Sequence, residues 1–187
     1  MNLPNRLTII RMILTPVFLA VFLADIPHRF LYALILFVVA SFTDTLDGYI
    51  ARKKNIITVF GKLADPVADK VLTTAALLAL MHIGYCNIWL VALTLTREFA
   101  VTSFRLVAAS DGLVVPANIF GKIKTISQMV FTSLIILLLE LKEVCILPQT
   151  FNLALFSNIL IGITTLFTLI SGAIYIVKIT KKIDFSK

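Results

Sequence analysis

Hydrophobic positions along this chain come in long blocks, without strict alternation and without a narrow one-sided stripe. Successive apolar runs cover about Leu3–Ala24, Phe30–Ile50, Thr58–Ile83, Ile88–Ala109 and Ile119–Leu139, and a last one falls within the uncharged stretch Val144–Val177. Short polar breaks part them: Asp25 to Arg29, then Arg52-Lys53-Lys54, a stop at Gly84, and Ser110-Asp111-Gly112. A helix needs roughly 20 apolar residues to cross the hydrocarbon core, and each run is about that long. A β-barrel would show period-two alternation with even turn spacing, and an open sheet cannot satisfy its edges in lipid. The pattern therefore predicts an all-α integral membrane protein of six transmembrane helices, forming a single domain over residues 1–187. Pro4 suits a first helical turn, where its missing N–H would be unbonded anyway. Arg6 and Arg11 make the opening turns polar, so the first helix is expected to start in the interface before entering lipid. Pro16 interrupts this run and no small-residue cleavage site follows it, so the N-terminus is not expected to be a cleaved signal.

Composition narrows the class. Of 187 residues, 59% are hydrophobic and 14% charged, whereas a soluble domain carries about 25% charged residues. Disorder, a coiled coil and an ordinary soluble globule are excluded. Lys and Arg number 17 against 10 Asp and Glu, a net charge of +7. In a soluble chain that balance would suggest nucleic acid. No strip of interleaved basic and aromatic residues is present, so no nucleic-acid partner is expected. Anionic membrane lipid at the cytoplasmic face accounts for the charge, and an anionic substrate would share the same cause. With both termini inside, the inner segments hold Arg6, Arg11, Arg52, Lys53, Lys54, Lys62, Lys122, Lys124, Lys178, Lys181, Lys182 and Lys187, and the outer loops only Arg29 and Lys142. Twelve cations against two set the expected orientation as N-in/C-in in the cell (inner) membrane. The basic tail from Lys178 reads as a headgroup anchor. Cys86 and Cys145 have no metal-ligand spacing and read as ordinary apolar residues.

Four acids break the apolar pattern. Asp44 and Asp47 close the second run, and Asp65 and Asp69 open the third. A charge at the centre of a membrane helix costs roughly 2.5–3.5 kcal/mol, so four of them call for a reason. The pairs Asp47/Asp65 and Asp44/Asp69 are both centred near residue 56, in the turn between the two runs. An antiparallel hairpin would bring each pair to one depth, with Asp44 roughly 12 Å inward from Arg52 along the axis. Spacings of three and four residues keep Asp44 with Asp47, and Asp65 with Asp69, on common faces. Carboxylates gathered in one polar cup need a counter-charge, and hard divalent cations prefer oxygen ligands, so Mg²⁺ or Mn²⁺ is expected, two ions balancing four carboxylates. Gly48 and Ala51 lie beside the acids. Their small side chains leave room for a ligand or serve close helix packing.

Read together, the residues are Asp44-Thr45-Leu46-Asp47-Gly48-Tyr49-Ile50-Ala51-Arg52, eight residues, then Gly61-Lys62-Leu63-Ala64-Asp65-Pro66-Val67-Ala68-Asp69. This resembles, without departure, the signature of the CDP-alcohol phosphatidyltransferase family, DxxDGxxAR(x)8GxxxDxxxD. Pro4-Asn5-Arg6-Leu7-Thr8-Ile9-Ile10-Arg11 is similar to the family's N-terminal PNxLTxxR stretch. Thr96-Arg97-Glu98-Phe99 and Gly121-Lys122-Ile123-Lys124-Thr125 resemble the branch whose acceptor alcohol is sn-glycerol 3-phosphate. The resemblance implies a metal-dependent transferase that moves the phosphatidyl group of CDP-diacylglycerol to that alcohol and releases CMP. It implies a polar active-site cavity open to the cytoplasm, and a homodimer. Asp44, Asp47, Asp65 and Asp69 would be metal ligands, with Asp69 also the catalytic base. Gly48, Ala51, Arg52 and Gly61 would meet the CDP group, joined by Asn5 and Thr8. Arg97, Arg105, Lys122 and Lys124 would bind the acceptor's phosphate, because Arg matches phosphate oxygens in a fork. For Arg97 an ion pair with Glu98 is the competing reading, and for the lysines snorkelling to the interface. His82 and Trp89, near the opposite end of the bundle, read as structural.

Other acceptors within the family, namely serine, inositol phosphate or phosphatidylglycerol, stay open, although the cations favour a phosphorylated alcohol. A cation transporter would also place acids within membrane helices, but broken helices or duplicated halves should then appear, and neither is visible. A purely structural membrane subunit gives the acids no purpose.

Overall fold

The structure is a computed structural model. It describes the backbone of residues 3–54, 59–110, 119–148 and 150–180, and the side chains of residues 7–43, 67–68, 70–108, 119–148 and 150–177. The described residues form α1 (Leu3–Leu23), α2 (Arg29–Lys54), α3 (Val59–His82), α4 (Ile88–Ser110), α5 (Ile119–Glu143) and α6 (Leu153–Thr180). Three helices run several residues past their expected ends. α2 continues through Arg52–Lys54, α5 through Glu140–Glu143 and α6 to Thr180. A charge does not stop a helix, whereas Gly, Pro or a cap does. Residues 181–187, most of the basic tail, lie outside the described residues.

The helix ends follow from local chemistry. Gly84, at φ +83°, ends α3, with Tyr85 N–H donating to Leu80 C=O at 2.8 Å and Gly84 N–H to Met81 C=O at 3.1 Å. These two bonds make a Schellman motif, in which glycine takes the left-handed position without strain. Cys145 holds the same position after α5 (φ 59°), with Ile146 N–H on Leu141 C=O at 2.9 Å. Asn87 caps α4 through Trp89 N–H at 2.9 Å, and Asn152 caps α6 through Leu155 N–H at 3.0 Å.

α1 lies across both α2 and α3, α5 packs between α2 and α6, and α4 packs on α6. α1 and α2 run antiparallel, locked by aromatic rings: Phe22–Phe30 at 5.1 Å and Phe18–Phe37 at 5.8 Å between centroids. Ala33 and Ala40 of α2, with Ala76 and Ala79 of α3, are buried in the same cluster. Their small side chains let backbones approach closely, as membrane helices favour.

Around the apolar core the described surface is itself largely apolar, and several polar side chains are buried. Large apolar side chains such as Ile13, Phe42, Phe99, Ile126 and Leu166 are exposed, while Thr8, Arg11, Thr94, Gln128, Thr132, Thr168 and Ser171 are buried. That distribution suits a surface facing lipid and a partly polar interior. Two described segments, Ile119–Glu143 and Leu153–Val177, are long and apolar enough to cross a membrane. Within the described residues the apolar segments Leu7–Leu23, Arg29–Thr43 and Lys70–His82 are shorter.

The α1–α2, α3–α4 and α5–α6 connections lie together at one end of the bundle. At the loop end, Glu140 accepts Leu31 N–H at 3.2 Å and lies 2.6 Å from His28 Nδ1, tying α2 to α5. Asn87 N–H donates to Asn158 Oδ1 at 2.7 Å, and the Ser157 hydroxyl donates to Tyr85 C=O, tying the α3–α4 turn to α6. His82 and Trp89 are exposed at this same end, where the sequence pattern put them. Cys86 and Cys145 are both free thiols, one buried and one exposed. Burial pushes the Cys86 thiol up to about 12, so almost no thiolate exists there at neutral pH. A membrane-permeant maleimide at pH 7.5 is expected to label Cys145 and spare Cys86 until the protein is unfolded. Equal labelling rates would contradict the packing around the α3–α4 turn.

Candidate active site

The signature residues occupy unbroken helices. Asp44, Asp47, Gly48, Ala51 and Arg52 lie on α2, and Gly61, Asp65 and Asp69 on α3. Their side chains, and that of Asn5 on α1, lie outside the described residues. On α2 the positions Ala33, Phe37, Ala40, Asp44, Asp47 and Ala51 follow one another at three- and four-residue steps, and the first three are buried. On α3 the corresponding stripe is Asp65, Ala68, Asp69, Leu72 and Ala76, in which Ala68, Leu72 and Ala76 are buried. In helical register the aspartate positions follow the rows Ala33, Phe37, Ala40 on α2 and Ala68, Leu72, Ala76 on α3. Among the described residues α2 and α3 touch each other over only a small area, and α1 contacts both.

α1 carries a residue whose burial the sequence did not show. Arg11 was expected at the interface as one of the cytoplasmic cations. Its side chain is instead fully buried, as is Thr8 one turn earlier. The reason is the α1 stripe Thr8, Arg11, Thr15, Phe18 and Phe22, which the ring contacts with α2 turn inward. Phe18 meets Phe37, so two turns toward the α1 N-terminus and two turns toward the α2 C-terminus bring Arg11 level with Asp44. The stretch Leu7-Thr8-Ile9-Ile10-Arg11 is otherwise apolar, and a cation spaced three residues from a threonine was the available signal.

A second polar cluster joins α4, α5 and α6. Arg97 Nη1 donates to Glu98 Oε1 at 3.3 Å, and Arg97 Nη2 donates to Ser171 Oγ at 2.8 Å. Lys124 Nζ also donates to Glu98 Oε1. The three charged side chains are only 12%, 15% and 10% exposed for Arg97, Glu98 and Lys124. Two cations thus share one carboxylate, and the cluster keeps one net positive charge inside the bundle. The ion pair with Glu98, one of the two sequence readings of Arg97, is present. Lys124 is buried and does not snorkel. Arg105 and Lys122 are exposed and are not drawn into this cluster. Ser171 was not anticipated, because nothing in a long apolar helix marks one serine above its neighbours. Among the described residues no three His, Cys, Asp or Glu side chains come together as metal ligands.

With the geometry in view, comparison with known proteins defines the class. Residues 1–174 match the CDP-alcohol phosphatidyltransferase family. The chain belongs to that family, and it is an enzyme of that class. It is 40% identical over 189 residues to the CDP-diacylglycerol–glycerol-3-phosphate 3-phosphatidyltransferase of Bacillus subtilis, covering 95% of this chain and 94% of the relative. It is 36% identical over 174 residues to the protein of that name from Rickettsia bellii, covering 93% of each. A probable phosphatidylglycerophosphate synthase of Mycobacterium tuberculosis is 35% identical over 185 residues, covering 97% of this chain and 83% of the relative.

Proposed function

We propose that the chain transfers the phosphatidyl group of CDP-diacylglycerol to sn-glycerol 3-phosphate, yielding phosphatidylglycerophosphate and CMP. The names of the relatives support this acceptor. The observation that carries it pairs the aspartate positions along α2 and α3 with a net-cationic cluster between α4, α5 and α6. The first suits a pyrophosphate with its counter-ions, the second a phosphorylated alcohol.

In this reading the domain is single and its six helices cross the cell membrane with both termini inside. The polar half faces the cytoplasm, where CDP-diacylglycerol arrives from the inner leaflet and the acceptor from solution. Four aspartates supply only hard carboxylate oxygens, a donor set that fits Mg²⁺ or Mn²⁺. Asp44, Asp47, Asp65 and Asp69 would hold the metal, as two ions. Bound there, divalent cations neutralise the pyrophosphate and its leaving oxygen. Arg11, level with Asp44, adds fixed positive charge to the same region.

Gly48, Ala51, Arg52 and Gly61 bind the CDP group, with Asn5 and Thr8 on its α1 side. Arg97 and Lys124 hold the acceptor's phosphate, while the exposed Arg105 and Lys122 draw it in from the cytoplasmic face. Asp69 takes the proton from the acceptor hydroxyl. That oxygen forms the new bond to the phosphatidyl phosphorus, the pyrophosphate bond breaks, and CMP leaves with the electron pair. The protein works as a homodimer among membrane lipids.

The test is CMP release by purified protein with CDP-diacylglycerol, with and without Mg²⁺ or Mn²⁺, offered glycerol 3-phosphate, serine, inositol phosphate or phosphatidylglycerol in turn. Turnover with glycerol 3-phosphate and a divalent cation is expected. Turnover with serine alone would overturn the acceptor assignment and leave the family intact.

A further inference from the structure

Arg97 is held by α6 in a way that neither the signature nor the charge pattern describes. Its Nη2 donates to Ser171 Oγ at 2.8 Å. Its stem lies on the next residue, Gly172, so closely that a Cβ built there would sit 2.8 Å from both Arg97 Cγ and Nε. Atoms this close cannot coexist, so Arg97 occupies space that exists only because residue 172 has no side chain. Cγ is near the root of the side chain, and the clash cannot be relieved by swinging the guanidinium alone. Arg97 Nε is itself covered and has no hydrogen-bond acceptor among the described residues. Its placement is therefore steric on that edge and hydrogen-bonded on the other two, to Glu98 and Ser171. Gly162, two to three turns earlier on α6, makes the contrast: a Cβ there meets nothing within 4 Å.

We propose that Ser171 and Gly172 are positioning residues for Arg97. Gly172 sets how deeply the arginine lies against α6, and Ser171 sets the rotation of its guanidinium, so that Arg97 and Lys124 together present their charge to the phosphate of the acceptor. The inference rests on the reading of Arg97 and Lys124 as the acceptor-phosphate site. Because Glu98 bridges both cations, a displaced Arg97 also changes the charge balance seen by Lys124. The preference for a phosphorylated acceptor then depends on α6 as well as on the helices that carry the charges.

The experiment compares the same substitution at two glycines of one helix, alongside Ser171→Ala and Arg97→Ala. KM for glycerol 3-phosphate, KM for CDP-diacylglycerol, kcat and thermal stability are measured for each. Alanine is ordinarily the better helix former, so a loss at residue 172 has to come from its contacts. A reacting group misplaced by about 1 Å loses on the order of a hundredfold in rate, and Gly172→Ala is expected to raise KM for glycerol 3-phosphate about tenfold or more. KM for CDP-diacylglycerol should stay near wild type, and Gly162→Ala should match wild type throughout. Ser171→Ala removes a bond to a charged group without adding bulk, and is expected to raise the same KM about tenfold. It keeps the test open if Gly172→Ala fails to fold. The inference is overturned if Gly172→Ala and Ser171→Ala keep wild-type KM for glycerol 3-phosphate while Arg97→Ala raises it. It is also overturned if Gly172→Ala and Ser171→Ala raise both KM values equally with a matching loss of stability, since that marks packing alone. If Arg97→Ala itself leaves the acceptor KM unchanged, the assignment of Arg97 to the acceptor fails, and the positioning role with it.

Discussion

Asp69→Asn is expected to lower kcat by about 10²–10⁴-fold, the usual contribution of a positioned general base. The amide preserves size but cannot accept the hydroxyl proton at neutral pH. CDP-diacylglycerol should still bind, because Asp44, Asp47 and Asp65 remain. Measuring CMP release together with stabilisation of the protein by CDP-diacylglycerol separates the two effects. A variant with near-normal turnover would remove Asp69 from the role of base. A variant that loses turnover and substrate binding together would make Asp69 chiefly a ligand. Asn has nearly the shape of Asp, so the substitution removes the base without removing the side chain.

Glu98→Ala is expected to give the largest loss of stability among the described charged residues. It leaves Arg97 and Lys124, 12% and 10% exposed, facing one another without the carboxylate they share. Removing one partner of a buried pair costs about 3–5 kcal/mol, and the residual exposure here brings the expectation to about 2–4 kcal/mol. Thermal unfolding in detergent should show a clearly lower Tm. Glu98→Gln, which keeps an acceptor oxygen without the charge, should fall between Glu98→Ala and wild type. Adding Lys124→Met to Glu98→Gln should recover stability, since one cation fewer is then left in the interior. Wild-type Tm for Glu98→Ala would mean that the three charges are solvated independently, and the cluster would then not be the interior anion site proposed for the acceptor.

The two variants probe parts of the protein that were legible to different degrees. The Asp44–Asp69 signature is a matter of fixed spacing within neighbouring helices, and spacing survives in one dimension. Glu98 and Lys124 are 26 residues apart and Arg97 and Ser171 are 74 apart. No local pattern links such positions. The same limit explains His28 and Glu140, separated by 112 residues, which join α2 to α5 at the far end. Helix ends were misjudged at Arg52–Lys54 and Glu140–Glu143 because the expectation stopped each helix at its first charges. Charged side chains at a helix end reach water or a partner, and the backbone ladder continues.

The sequence by itself determined the helical class, the order of the helices and the family. Backbone groups within long apolar runs can be satisfied only inside each run, and eight fixed positions at set intervals leave little ambiguity about kinship. Which face of each helix turns inward was decided only by the tertiary structure. α1 is apolar on most sides, and the helical spacing of Thr8, Arg11 and Thr15 does not by itself say whether that stripe faces inward. The packing of Phe18 and Phe22 on Phe37 and Phe30 chose that face, and so buried Arg11 at the level of Asp44. In the same way α6 carries several small residues, and only its crossing with α4 makes Gly172 the one against which Arg97 lies. A side chain's neighbours across helices depend on rotation and register, and an almost uniformly apolar helix leaves both to be settled by packing.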